Sequence, residues 1–221
     1  MNKIIAIDGV ASSGKGAVTK IVAEKLNLTA IDTGSMYRAI ALETINKNIS
    51  IDEVGKIIEM AKNSNIKLDK DGTVYLNGED VTSKLKIQQV NSIVSQVSSI
   101  PEVREILVEQ QRQMAKDCDV IMEGRDITTV VFPNTKYKFY LDADIKERAR
   151  RRHLQNQQLG LEIPYDEVVK SIEFRDQNDK NKKVGALKRT DDQIYIDTTD
   201  MNALEVADEI IRKVKEIEGE I

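Results

Sequence analysis

Lys3–Ala17, KIIAIDGVASSGKGA, decides the fold. Ile4, Ile5, Ala6 and Ile7 form a short continuous apolar run, the pattern of a strand buried on both faces. Gly9, Gly14 and Lys15 follow with the spacing G-x-x-x-x-G-K. Val18, Ile21, Val22 and Leu26 then repeat at helical intervals. Strand, glycine loop and helix are the context of a phosphate-cradling loop, whose amides face an anion at the positive end of a helix. Lys15 reaches forward to the outer phosphates. The same spacing also fits a glycine-rich βα turn with a solvated lysine. Gly16 and Ala17 come after Lys15, so the hydroxyl that usually follows the lysine and helps hold Mg²⁺ is missing.

Composition narrows the class. A chain of 221 residues accommodates one α/β domain with insertions and a substantial core. Its formal charge of −4 argues against broad nucleic-acid or membrane binding. One cysteine, Cys118, cannot make an internal disulfide, and neither a signal peptide nor a membrane-length apolar run is apparent. A cytoplasmic, monomeric protein is expected.

Leu28–Ile31 reads as a second strand, followed by Asp32, Thr33, Gly34, Ser35, Met36, Tyr37 and Arg38. Asp32 or Thr33 caps a helix there. Arg38 then either projects toward a ligand crevice at the strand ends or is solvated. Residues 51–97 read as an insertion. Its Asp71-Gly72 turn between Ile66–Leu68 and Thr73–Leu76 predicts a hairpin in a small separate sheet, and helices are expected over 52–62 and 84–97. Pro101 opens a helix with Val103, Ile106, Leu107, Gln110 and Met114 on one face, and Arg104 and Arg112 off it. Val120–Met122 is a buried strand running into Glu123-Gly124-Arg125-Asp126. Glu123 is suited to orient Mg²⁺ through water. Arg125 and Asp126 make either a phosphate clamp or a surface pair.

Tyr137–Leu141 and Ile194–Ile196 complete five strands. Between them lie a helix over 144–157 bearing Arg148, Arg150, Arg151 and Arg152, and another from Pro164 on which Arg175 and Lys182 are expected to share a face. His153 has no nucleophile or ligand cluster beside it and is read as structural or exposed. Strands alternating with helices predict a parallel sheet, with the crevice beyond its carboxyl edge. Three suspected motifs, 9–16, 32–38 and 123–126, converge on that edge.

Together IDGVASSGKG, DTGSMYRAIA, VSSIPEVREILVEQQR, MEGRDITTVVFP, KFYLDADIKERARRR and RDQNDKNK resemble the bacterial cytidylate kinase family, over nearly the whole chain. The resemblance implies an α/β P-loop kinase fold: a five-stranded parallel sheet flanked by helices, a small α+β monophosphate-binding insertion and a helical lid. The core would be 1–50, 98–154 and 188–221, the insertion 51–97, and the lid 155–187. It implies Mg²⁺-dependent phosphoryl transfer from ATP to CMP or dCMP, in pyrimidine nucleotide metabolism. Gly9, Val10, Ala11, Ser12, Ser13, Gly14, Lys15, Gly16 and Ala17 would hold ATP. Thr33, Tyr37, Arg38, Ser95, Arg104, Arg125 and Asp126 would hold the monophosphate, with Ser95, Arg125 and Asp126 reading the cytosine. Arg38, Arg104, Arg175 and Lys182 would meet its phosphate, and Lys15, Arg152, Arg175 and Lys182 would serve catalysis.

Five positions depart from the family pattern: Val10 for Pro, Ala17 for Thr or Ser, Thr128 for Gly, Lys182 for Arg and Ala186 for Pro. Ala17 and Lys182 bear on metal handling and transition-state charge, hence on rate. Competing readings are a P-loop kinase for another small acceptor and a nucleotide-binding protein with weak turnover. A GTPase is disfavoured because no N-K-x-D motif is present.

Overall fold

A computed structural model describes residues 2–69 and 71–220. Five strands, β1 (Ile4–Gly9), β2 (Thr29–Asp32), β6 (Val120–Gly124), β7 (Tyr137–Asp142) and β8 (Ile194–Asp197), form one sheet in the order β2-β6-β1-β7-β8. All four pairings are parallel. In a separate antiparallel sheet β4 (Val74–Leu76) pairs on one side with β3 (Ile66–Leu68) and on the other with the two-residue β5 (Glu79–Asp80). The expected hairpin is therefore present, extended by one strand beyond the Asn77-Gly78 turn.

The central strands are apolar throughout because both faces are covered. Ile5 and Ile7 of β1, with Ile121 and Phe139, pack against Val18 and Val22 of α1 (Lys15–Leu26) and Val206, Ile210 and Val214 of α8 (Ala203–Glu218). Ala6, Ile31, Val120 and Met122 face the other way, onto Val108 of α5 (Pro101–Met114) and Ile127. The insertion has no core of its own. Ile57 and Met60 of α3 (Val54–Asn63), Ile66, Val74 and Leu76, and Val90 and Val97 of α4 (Gln88–Val97) share one cluster with Met36 and Ile40 of α2 (Thr33–Asn46) and with Val103 and Leu107. This cluster holds the insertion over one side of the sheet's carboxyl edge.

The remaining helices, α6 (Ile145–Gln158) and α7 (Tyr165–Asn181), pack together across that edge. Two expectations change here. The helix expected from 84 begins at Gln88, after a 3-10 turn over Thr82–Lys84. Helix α7 stops at Asn181, and Lys182 has extended backbone (φ −57°, ψ 137°), so Arg175 and Lys182 do not share a helical face. Among the described residues, no helix is long and apolar enough to cross a membrane.

Candidate active site

The site is built where the parallel strands end. The loop after β1 leads into α1, whose first residue is Lys15. Gly14 precedes it with φ 89° and ψ 2°, a left-handed conformation that glycine adopts at little cost. Ser12 is also left-handed (φ 61°), an uncommon conformation for a residue with a side chain. No side chain caps the start of α1, as is also so for α3, α4, α5 and α7, whereas Asp32, Asp144 and Asn202 cap α2, α6 and α8; what marks α1 is that a left-handed glycine, Gly14, leads into it. The first N–H groups of α1 are thus left for an anion. Lys15 Nζ is curled back, donating to Gly9 O (3.0 Å), Val10 O (2.7 Å) and Ser13 Oγ (3.1 Å).

Glu123 closes β6 beside this loop. In the sheet register it faces Asp32 of β2 on one side and Ile7 of β1 on the other. A Cβ placed on Gly16 would lie 3.0 Å from Glu123 Oε1, so the carboxylate sits against the loop itself. Burial and the neighbouring Asp32 raise the Glu123 carboxyl, and burial lowers the Lys15 ammonium. In each group burial disfavours the charged form.

A cluster of guanidinium groups faces the loop. Arg38 donates to Leu85 O (3.1 Å) and Asn91 Oδ1 (2.5 Å), both contributed by the insertion. Arg125 donates to Asp179 Oδ2 of α7 at 2.7 Å. Arg152 reaches Ser12 Oγ at 3.4 Å. Among the described residues Arg125 is the member of this group with a carboxylate partner, while Arg38, Arg152 and Arg175 have none. Burial, then crowding by Arg125, Arg38 and Arg152, pushes Arg175 down to about 10. Burial lowers both Arg38 and Arg152, helped by Arg152 and Arg125 at Arg38 and by Arg125 at Arg152. Cations packed this closely without matching anions form a receptor for phosphate.

Next to the cluster, Arg104 and Asp126 pair at 2.5 Å, and both are buried. Arg104 also donates to Ser98 O (3.0 Å), and its guanidinium lies 5.1 Å from the Tyr37 ring centre. Tyr37 is buried, and burial raises its phenol. Thr33 donates to Glu123 O at 2.8 Å. Lys182, just past the helix, donates to Ser98 Oγ (3.1 Å) and Asp179 Oδ1 (2.9 Å). Ser95 is half-buried on α4, its carbonyl accepting from the Ser98 and Ser99 hydroxyls. The expected loop, arginine, Glu123 and Arg125–Asp126 positions thus meet at one edge. Ala17 is exposed on the first turn of α1 and brings no hydroxyl to it.

Several roles here escaped sequence reading. Asp179 joins Arg125 to Lys182. Burial alone would raise its carboxyl, but Arg125, Lys182 and Arg175 hold it well below the usual range. Asp176 accepts from Ala11 N (3.0 Å) and from Arg148 (2.5 Å), which also donates to Ala11 O (3.0 Å), so Arg148 is a buried clamp on the loop. Asp8, fully buried at the end of β1, accepts from Ile127 N (2.8 Å), Thr128 N (2.9 Å) and Thr128 Oγ1 (2.5 Å). It thereby caps a π-turn over Ile127–Val131. Burial pushes its carboxyl up to about 6, against those hydrogen bonds. The available signal was a carboxylate in an otherwise apolar strand.

On the far side of the loop, a cavity of about 470 Å³ is lined by Gly14, Ala17, Arg151, Thr198, Asp200 and Ala203, among others. Arg151 is held in it by Thr198 Oγ1 (3.1 Å) and Thr198 O (2.5 Å). The arginine run on α6 is therefore divided. Arg148 is structural, Arg150 and Arg151 line the cavity and both pair with Glu147, Arg150 being the more exposed, and Arg152 faces the loop. His153 is half-buried, with its ring edge toward Tyr165.

The chain is similar to known proteins over nearly its whole length. A family model described as cytidylate kinase matches residues 5–216. A cytidylate kinase of Caldanaerobacter subterraneus subsp. tengcongensis is 45% identical over 218 residues, 98% of this chain and 97% of that protein. One of Fusobacterium nucleatum is 44% identical over 216 residues, 98% of this chain and 99% of that protein. The crystal structure of an uncharacterized protein from Eubacterium ventriosum superposes with a TM-score of 0.56 at 11% identity, covering 97% of this chain and 99% of that one, a likeness of fold alone. With the family match running from the first strand into the last helix and full-length relatives above 40% identity, this chain belongs to the cytidylate kinase family.

Proposed function

We propose that the chain transfers the γ-phosphoryl group of ATP to the 5′-phosphate of CMP or dCMP, with residues 51–97 serving as the monophosphate-binding part and 155–187 as the lid. The observation that carries this reading is the guanidinium cluster. Arg38, Arg125, Arg152 and Arg175 converge beside an uncapped helix start, and of them Arg125 alone has a carboxylate partner among the described residues. Such a site suits two polyanions brought end to end.

ATP would lie with its phosphates on the amides of 9–17 and its base in the cavity beside Arg151 and Thr198. Lys15 would exchange its loop carbonyl partners for β- and γ-phosphate oxygens. The monophosphate would be held by Thr33, Tyr37, Arg38, Ser95, Arg104, Arg125 and Asp126, with Arg175 and Lys182 on its phosphate. An acceptor phosphate oxygen attacks the γ-phosphorus as the bond to the β–γ bridging oxygen breaks, so no protein nucleophile is required. Catalysis then consists of positioning and of charge stabilisation by Lys15, Arg152, Arg175 and Lys182. Asp126 would accept from the cytosine amine, a donor that uracil lacks. Closure of the α6–α7 region excludes water as a competing acceptor.

Magnesium fits the donor set. Glu123 and Asp32 are opposed across the sheet, and their repulsion is what a divalent cation relieves. Among the described residues no group of three or more His, Cys, Asp or Glu could hold a metal unaided, so the ion would be held by the ATP phosphates and water, with Glu123 acting through water. Bound in this way, it neutralises phosphate charge. On this reading the protein works in the cytoplasm as a monomer on small-molecule substrates, and its acidic balance supports a role without nucleic acid.

The test is ADP formation with Mg²⁺-ATP against CMP, dCMP, UMP, AMP and GMP. Selective turnover of CMP and dCMP is expected, and loss of that selectivity in Asp126→Ala. A preference for AMP or GMP would overturn the reading, and cytidine nucleotide binding without turnover would favour a family member that has lost its chemistry.

A further inference from the structure

The Thr128 hydroxyl is the meeting point of two segments far apart in sequence. It donates to Asp8 Oδ2 at 2.5 Å and accepts from Gln193 Nε2, also at 2.5 Å. A hydroxyl has one proton, and the two contacts use it once as donor and once as acceptor. All three residues are buried. On one side, Thr128 and Ile127 supply the amides that Asp8 caps, so the turn carrying Asp126 is fixed to β1. On the other, Gln193 gathers the end of the strap that returns from α7. Its Oε1 accepts from Thr190 N (2.8 Å), and its Nε2 also approaches Lys188 O (3.4 Å).

That strap crosses the Arg104–Asp126 pair. Gly185, with φ 65°, lies so close that a Cβ would overlap Arg104 Nε and Asp126 Oδ2. Both ends of the strap are pinned. Leu187 N donates to Asp179 O (2.8 Å) and Lys182 holds Ser98 Oγ, while beyond Thr190 the anchor is Gln193 on Thr128. A strap in direct contact with a recognition pair sets that pair's geometry only if its own height is fixed, and the buried Gln193–Thr128 bond fixes it.

We propose that Thr128 and Gln193 are positioning residues for acceptor recognition, anchoring the strap so that the Gly185 backbone holds the Arg104–Asp126 pair in its reading geometry. The proposal rests on the assignment of that pair to the acceptor. It accounts for a hydroxyl at position 128, which a glycine there could not supply. None of these contacts reaches the cavity beside Arg151, so the effect belongs to the acceptor side.

Steady-state kinetics of Thr128→Val, Thr128→Ser, Gln193→Leu, Gly185→Ala and Asp126→Ala, with CMP and ATP varied separately, test it. Leaving a buried amide donor without its acceptor raises the KM for CMP about tenfold in Thr128→Val, with the KM for ATP within about twofold of wild type. Thr128→Ser restores the wild-type value, and Thr128→Val with Gln193→Leu raises it by less than the product of the two single changes, because both single variants lose the Gln193–Thr128 bond. Gly185→Ala raises the same KM without touching the bond, which keeps the test open if Thr128→Val does not fold. An unchanged KM for CMP in Thr128→Val and Gly185→Ala, equal changes for both substrates, or additive losses would overturn the proposal. If Asp126→Ala leaves CMP selection intact, the acceptor assignment itself falls and the proposal with it. An impaired Asp126→Ala beside an unaffected Thr128→Val would refute the positioning role alone.

Discussion

Replacing Asp176 by alanine tests whether α7 holds the phosphate loop in shape. Asp176 is 7% exposed, and its two oxygens take the Ala11 amide and the Arg148 guanidinium. Arg148 is equally buried and also donates to Ala11 O and Ala143 O. The substitution leaves a guanidinium without its counter-charge and a loop N–H without its acceptor. Breaking a buried pair from one side costs about 3–5 kcal/mol. At roughly 2–4 °C per kcal/mol for a chain of this size, the melting temperature falls by about 6–20 °C. Removing both charges with Arg148→Met and Asp176→Leu costs less than the sum of the single changes, because no unpaired charge remains. Denaturant titration of the wild type, both single variants and the double variant measures the coupling directly. The KM for ATP rises in Asp176→Ala, since Ala11 is a loop residue, whereas the KM for CMP changes little. A cost below about 1 kcal/mol, or strict additivity in the cycle, would show that the clamp contributes little and that the reasoning from burial is wrong.

Two further outcomes follow from the site. Lys15→Ala retains the fold, because among the described residues the hydrogen bonds of Lys15 Nζ go to Gly9 O, Val10 O and Ser13 Oγ, all within its own loop. It loses about 10²–10³-fold in kcat through lost charge stabilisation, and near-normal turnover would remove Lys15 from the catalytic group. Asp8 gives a pH signature. Its folded-state carboxyl lies at about 6 against an ordinary 3.8, so the folded state binds the extra proton between those values and Asp8 costs stability as pH rises through them. Relative to Asp8→Asn, the wild type therefore loses up to roughly 3 kcal/mol from pH 4 to pH 7, and a difference between the two proteins that is flat across that range would contradict it.

The chain's own order determined a great deal. The apolar run, the glycine spacing and the helical repeat of 3–26 are short-range signals, and β1, the loop and α1 follow from them. The Asp71-Gly72 turn likewise specifies its hairpin, because a turn and its flanking strands are contiguous. Five buried strands separated by helices imply a parallel sheet, and the parallel sheet places residues 9–16, 32–38 and 123–126 at one edge. Periodicity carries all of this, since it reports which face of an element is covered.

Periodicity does not report what covers that face. Arg104 lies off the apolar stripe of α5 and still is buried, because Asp126, Tyr37 and the Gly185 backbone meet it there. Four arginines in one helical run have four different sets of partners: Arg150 pairs within its own helix, while Arg148, Arg151 and Arg152 each reach partners from elements distant in sequence. Lys182 left the helical face expected for it because α7 ends one residue earlier and the strap turns back over the acceptor pair. Asp8 and Thr128, Arg148 and Ala11, and Arg125 and Asp179 pair across long stretches of chain. A buried charge is tolerated only where another segment supplies its partner, and which segment arrives there is settled by the packing of helices on the sheet.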